Sequence, residues 1–192
     1  MSSILVTGGL GAVGSFLVEE LESRGHDVYV IDLSHNHNSH KYARCDVSEF
    51  RQLERIWTGG GWPFGYSTKP KKFDYVYHLA AEFGRWNGED YYETLWKSNA
   101  IGTKNIIRMQ EREGFKAIYF STSEVYGDFE EKMSENIMDD VEIKQMNDYA
   151  LSKWVNEQQV LNSATQFNTK SVRVRLFNTY GPGEYYSPYR SV

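Results

Sequence analysis

Short apolar runs alternate along this chain with longer stretches in which apolar residues recur every three or four positions, a pattern that predicts strands alternating with helices. Ile4, Leu5 and Val6 suit a strand buried on both faces. Glycines follow at once, and from Ala12 the period changes. Val13, Phe16, Leu17 and Leu21 share one side of a helix, with Glu19, Glu20 and Glu22 interspersed, until Gly25 stops it. A second strand at 28–31 ends on Asp32, a short third is expected at 42–44, and Ser48 caps a helix carrying Phe50, Leu53, Ile56 and Trp57. The glycine and aromatic stretch 58–70 reads as a surface excursion. A fourth strand at 73–79 precedes a long helix at 91–113, with Leu95, Ile101, Ile106 and Met109 at helical spacing and Gly114 after its end. The fifth strand, 117–120, runs into a polar segment and an acidic loop reaching about residue 147. A second long helix at 149–167, a sixth strand at 172–177 and a glycine-proline turn at 178–183 complete the order. Such alternation implies right-handed crossovers and a mainly parallel, doubly wound α/β sheet covered on both faces.

The loop after the first strand carries the first chemical signal. Gly9-Leu10-Gly11-Ala12-Val13-Gly14 satisfies the dinucleotide fingerprint, and Gly8, Gly11 and Gly14 give its wider-spaced variant. A glycine turn between a strand and a helix N-terminus aims free N–H groups and the positive end of the helix dipole at one point, which suits a pyrophosphate. Asp32, at the end of the second strand, stands where an acid holds the adenosine ribose hydroxyls. With no arginine in the next several residues, that carboxylate favours NAD over NADP, whose 2′-phosphate it would repel. The fold expected is therefore Rossmann-like, one domain over residues 1–192.

Charge and composition narrow the partners. A formal charge of -5 without a basic cluster argues against nucleic acid; Lys69, Lys71 and Lys72 make only a small basic loop. Cys45 is the only cysteine, which excludes an internal disulfide and a thiolate metal cage. His35, His37 and His40 cluster, but no acid or thiol completes a ligand set, so no metal is expected. No apolar run approaches membrane-spanning length, no charged leader precedes the first strand and no Asn-x-Ser/Thr acceptor occurs. A cytoplasmic protein whose fold begins at Met1 is the expectation.

Tyr149 and Lys153 stand four apart and share a helix face. A free tyrosine titrates near about 10, but a neighbouring ammonium favours phenolate, so Tyr149 is a candidate base for a hydroxyl proton while hydride leaves the same carbon. The chain here resembles the extended short-chain dehydrogenase/reductases, in the NAD-dependent sugar-nucleotide epimerase/dehydratase branch. The resemblance rests on Thr7 to Gly14, Asp32, Asp46-Val47, His78-Leu79-Ala80-Ala81, Asn99 in Ser-Asn-Ala-Ile-Gly-Thr, Ser121 to Gly127, Tyr149-Ala-Leu-Ser-Lys153, and Arg175 to Gly183, in the family's order over nearly the whole chain.

The resemblance implies roles. Asp46 and Val47 would contact the adenine, Leu79, Ala80 and Ala81 would border the pyrophosphate and ribose, and Asn99 would sit near the nicotinamide side. Thr122 would bond the sugar hydroxyl that Tyr149 deprotonates, Lys153 would steady the ribose, and Asn178, Ser123 and Arg85 would touch the substrate. Oxidation at C4 makes a ketone that acidifies the next carbon; epimerisation, dehydration or decarboxylation can follow. Thr122-Ser123-Glu124 resembles the Thr-Ser-Glu of nucleotide-glucuronate decarboxylases, and the Thr-Asp-Glu of hexose 4,6-dehydratases with Ser123 replacing the acid that protonates the departing hydroxyl. Glu124 would act near C5. The alternatives are a C4 epimerase that does not use Glu124, and a non-catalytic NAD-sensing module. Gly183 stands where many relatives carry arginine. Relatives continue beyond the Gly-Pro turn into a smaller substrate-binding part, of which residues 178–192 would be only the start. The resemblance also implies a homodimer through the two long helices.

Overall fold

The computed structural model describes residues 1–34, 41–58, 71–84 and 90–182. Six strands, β1 (Ser3–Thr7), β2 (Asp27–Asp32), β3 (Tyr42–Arg44), β4 (Tyr75–His78), β5 (Lys116–Thr122) and β6 (Ser171–Leu176), make one sheet in the order β3-β2-β1-β4-β5-β6, every neighbouring pair parallel. Chain order reverses between β1 and β4, where Ile4 lies opposite Val28 on one side and Tyr75 on the other. Loops leaving these two strands diverge to opposite sides and open a crevice at their carboxyl ends, as the expected Rossmann-like fold requires.

The helices are α1 (Ala12–Ser23), α2 (Phe50–Thr58), α3 (Tyr92–Trp96), α4 (Gly102–Glu113), α5 (Ile137–Asp140) and α6 (Asp148–Phe167). One sheet face carries the larger core, in which Leu5, Ile31, Val76 and Ala117 meet Leu53, Trp57, Ile106, Ile107, Met109 and Val160. Trp57 stacks on Phe115 at 5.6 Å and meets Phe73 edge-on at 5.4 Å. On the opposite face α1 covers Ile4, Val6 and Val28 through Leu17, Val18 and Leu21.

Four expectations change. Val13 and Phe16, expected on the buried side of α1, are 38% and 48% exposed, because the helix turns Gly14 and Leu21 to the sheet instead. Two-sided cover is complete on one face only among the described residues: on the other, Val172 of β6 is 58% exposed. The long helix at 91–113 is interrupted by a π-helical turn, Lys97–Ile101, between α3 and α4. That wide turn brings Asn99 fully inside. The acidic loop is also less irregular than expected, since it contains α5. The stretch 59–70 and the histidines at 35, 37 and 40 lie outside the described residues. No helix among the described residues is long and apolar enough to cross a membrane.

Buried polar residues tie the crevice to its frame. His78, at the end of β4, is bonded through Nδ1 to the Thr7 hydroxyl at 2.7 Å and through Nε2 to the Thr103 hydroxyl at 3.1 Å. The Thr7 hydroxyl also accepts the Ala80 N–H at 3.2 Å. Burial pushes the His78 imidazole down to about 3, with the Lys153 charge adding to the effect. The unfolded chain binds this proton near about 6.5 and the folded chain only near 3, so the stability contributed by neutral His78 is whole above about 6.5 and is lost toward about 3. We expect the denaturation free energy to fall across that range with one proton's slope, about 1.4 kcal/mol per pH unit, and His78→Gln to remove that increment; equal slopes in the two proteins would refute it.

Candidate active site

The crevice is a cleft of about 500 Å³. At its centre, after β1, lies the glycine loop. Gly8 has a left-handed φ of 69° and donates its N–H to Ile31 O at 2.8 Å, while Gly11 N–H returns to Gly8 O at 3.2 Å. A Cβ on Gly14 would stand 2.2 Å from Gly8 O, so the turn and the start of α1 fit only without that side chain. The helix begins at Gly11 without a side-chain cap, leaving first-turn N–H groups of Ala12, Val13 and Gly14 for an anion at the cleft wall. Asp32 Oδ2 accepts Leu10 N–H at 3.0 Å and Oδ1 accepts Ser34 N–H at 3.1 Å, which fixes the carboxylate at the rim with lone pairs to spare for ribose hydroxyls.

Asp46 and Val47, after β3, and Leu79, Ala80 and Ala81, after β4, also line the wall. Asp46 Oδ1 is occupied locally, accepting Ser48 N–H at 2.8 Å and Oγ–H at 2.7 Å. Val47 O accepts Asn105 Nδ2–H at 2.9 Å, which holds this edge against α4. Cys45 also lines the wall, but burial pushes its thiol up to about 12, which leaves it without nucleophilic character at neutral pH. These residues fit an extended dinucleotide: an anion cradle after the central strand β1, a carboxylate for ribose after β2 on one side of it, and small side chains after β4 on the other.

At the end beside β5 and β6 stand Thr122, Ser123, Glu124, Tyr149, Lys153 and Asn178. Thr122 ends β5, and its hydroxyl accepts Glu124 N–H at 3.3 Å, starting the 3-10 turn Ser123–Tyr126. Asn147 caps α6 by accepting Ala150 N–H at 2.8 Å, which places Tyr149 in the first turn and Lys153 one turn on. Lys153 Nζ donates to Phe120 O at 2.9 Å and lies 5.9 Å from the Tyr149 ring centroid. Burial brings the Lys153 ammonium down to about 8. The Tyr149 phenol is pushed up to about 12, by burial first and then by the Glu124 charge, with a hydrogen bond to Thr122 pulling the other way. This reverses the expected direction: the ammonium is turned to a carbonyl, and desolvation outweighs it.

Behind this end, Glu157 is buried. It accepts Ser121 Oγ–H at 2.6 Å, Arg173 at 3.1 Å, and Arg175 through Nε at 2.9 Å and Nη2 at 2.8 Å. Arg175 also donates from Nη1 to Tyr126 Oη at 2.9 Å and Glu135 O at 3.0 Å.

Asn99 stands behind the cleft wall, next to its lining residues Ser98 and Glu82: Oδ1 accepts Glu82 N–H at 2.9 Å, and Nδ2 donates to Glu82 O at 3.0 Å and Ser152 Oγ at 2.9 Å. These bonds tie the loop after β4 to α6. Arg85 and Gly183 lie outside the described residues. Sequence reasoning missed Glu82, Phe83 and Ser98, which line the wall; the position of Glu82 directly after Ala81 was the only signal. Among the described residues no cluster of three metal-ligating side chains occurs.

Known proteins resemble the chain in sequence and in fold. The chain is 32% identical over 98% of its length to a UDP-N-acetyl-alpha-D-glucosaminuronate decarboxylase of Bacillus cytotoxicus, covering 58% of that protein. It is 30% identical over 93% of its length to UDP-glucuronic acid decarboxylase 4 of Arabidopsis thaliana, covering 39%. A solved epimerase from Methanothermobacter thermautotrophicus superposes over 100% of this chain and 56% of its own with a TM-score of 0.81 at 26% identity. The chain thus spans little more than half the length of the Bacillus relative and less of the plant one. The family model matches residues 4–191, from β1 through the cleft and beyond, and with the glycine cradle, the Asp32 rim and the Tyr149–Lys153 pair in one crevice the chain belongs to the NAD-dependent epimerase/dehydratase family.

Proposed function

We propose that this chain carries the cofactor-binding and catalytic part of an enzyme that oxidises a nucleotide sugar transiently at C4 and then removes a carboxyl group from C5. The observation that carries the reading is Thr122, Glu124, Tyr149 and Lys153 in the same cleft as an anion cradle. The decarboxylases among the relatives, and the Thr122-Ser123-Glu124 sequence, favour carboxyl loss over dehydration. Residues 178–192 would begin the substrate-binding region.

Gly8, Gly11 and the first turn of α1 hold the pyrophosphate of NAD, Asp32 holds the adenosine ribose, and Asp46 and Val47 border the adenine. NAD seated there supplies the hydride acceptor and later donor, and its oxidised ring brings the positive charge that a phenol at about 12 needs to release its proton. Tyr149 Oη takes the proton of the C4 hydroxyl, Thr122 orients that hydroxyl, and Lys153 holds the nicotinamide ribose. With C4 a ketone, loss of carbon dioxide leaves the electron pair of the C5–C6 bond in an enolate, and Glu124 handles the proton that C5 then takes up. A second reading, C4 epimerisation without Glu124, is favoured by the likeness to a solved epimerase. A sensing module would need no base such as Tyr149. The buried lone thiol of Cys45 suits a cytoplasmic protein, and exposed Tyr92, Ile101, Leu151 and Leu161 on the long helices suit a homodimer.

Titration with NAD should show binding that Gly14→Ala abolishes, since its Cβ would strike Gly8 O; undiminished affinity would sink the cradle assignment. Tyr149→Phe should lower turnover of UDP-glucuronic acid by on the order of 10²-fold or more, with products followed by NMR, and full activity would remove Tyr149 from its role. Light scattering should give twice the protomer mass; a single-protomer mass would exclude the dimer.

A further inference from the structure

We propose that Asn147 is a positioning residue that locks the Glu124 carboxylate to the first turn of the helix bearing Tyr149, so that the phenol and the carboxylate hold one fixed relation across the cleft. The role assigned to Glu124 rests on the nucleotide-sugar reading above; the contact does not.

The Asn147 amide does two things at once. Its Oδ1 accepts Ala150 N–H at 2.8 Å and caps α6, and its Nδ2 donates to Glu124 Oε2 at 2.8 Å. Only this orientation of the amide satisfies both neighbours, since a carboxylate can only accept and a backbone N–H can only donate. One Glu124 oxygen is thereby held by the helix that carries Tyr149.

The backbone leading into Asn147 is stitched to the turn that carries Glu124. Asp128 N–H donates to Lys144 O at 3.2 Å, Lys144 N–H returns to Asp128 Oδ1 at 3.0 Å, and Gln145 Nε2 donates to Val125 O at 3.1 Å. The approach requires Gly127, which has φ 50° and whose added Cβ would stand 2.0 Å from Lys144 O. A long loop thus returns to a defined place before the helix starts, and the last link in that seam is Asn147 to Glu124. An oxyanion so held is oriented before substrate arrives, which is where misplacement of about 1 Å costs on the order of 10²-fold in rate.

Asn147→Ala loses the helix cap as well as the clamp, so the informative variant is Asn147→Ser, which caps comparably but is too short to span to Glu124. In the isotope-labelled chain the Asn147 side-chain amide signals, assigned by their disappearance in Asn147→Ser, should shift in Glu124→Gln; signals indifferent to Glu124→Gln overturn the contact. In the NAD-loaded protein with UDP-glucuronic acid as probe, Asn147→Ser should slow carbon dioxide release relative to nicotinamide reduction by on the order of tenfold or more, as Glu124→Gln does, with no further loss in the double variant. A wild-type ratio in Asn147→Ser would reduce Asn147 to a cap and overturn the proposal. Absence of nicotinamide reduction in the wild-type protein would instead defeat the nucleotide-sugar reading, and the amide signals would then decide the positioning by themselves.

Discussion

A buried carboxylate cannot stand alone, and the catalytic end of the cleft is organised around satisfying one. Glu157, one turn beyond Lys153 on α6, is matched by the Ser121 hydroxyl of β5 and by Arg173 and Arg175 of β6. Its partners come from both neighbouring strands, so the helix cannot slide without stripping a charge of its bonds, a loss of about 3–5 kcal/mol against a total stability of about 5–15. Arg175 extends the same constraint to Tyr126 and the Glu135 carbonyl, pinning the turn and the acidic loop beside it. The positions of Thr122, Tyr149 and Lys153 therefore follow from one charge balance beneath them.

Backbone rules were legible in the sequence, and side-chain bookkeeping was not. Apolar runs located the central strands because a parallel sheet buries them on both faces, and the glycine spacing located the cradle because a turn that close admits no Cβ. The outward Val13 and Phe16 were misread because helical spacing alone cannot say which of two overlapping stripes meets the sheet, a choice made by the small Gly14. The inward Asn99 depends on a π turn, which shifts the phase of a helix by a residue and leaves no mark in periodicity. The Glu157 network joins residues 36 and 18 positions apart, and only the fold brings them together.

The electrostatics of Tyr149 and Lys153 also explain why a Tyr-x-x-x-Lys spacing is insufficient evidence of a phenolate. Both groups are removed from water, and each is driven toward its neutral form: the phenol up to about 12, the ammonium down to about 8. Their attraction would offset this only at close range, and Lys153 is instead anchored on the Phe120 carbonyl. The site as built keeps the proton on Tyr149, and the Glu124 charge reinforces that. On the proposed reading, deprotonation of Tyr149 would require positive charge to arrive in the cleft, which would couple the base to occupation of the cofactor site.

The glycine cradle and the Tyr149 side of the cleft are made of different materials, and this separates what the fold dictates from what a few residues decide. The cradle is backbone: N–H groups at a helix start, a glycine turn, and a carboxylate held by two more N–H groups. Such a site accepts one class of ligand whatever the surrounding side chains. The Tyr149 side is side chain, with Thr122, Ser123 and Glu124 on a short turn and Tyr149 on a helix start, joined by Asn147. Substitutions there would alter side-chain chemistry while leaving the backbone cradle in place. Ser123 carries no carboxyl and Glu124 carries one on the same turn, and it is this difference in side chains, not in backbone, on which the proposed preference for carboxyl loss over dehydration rests.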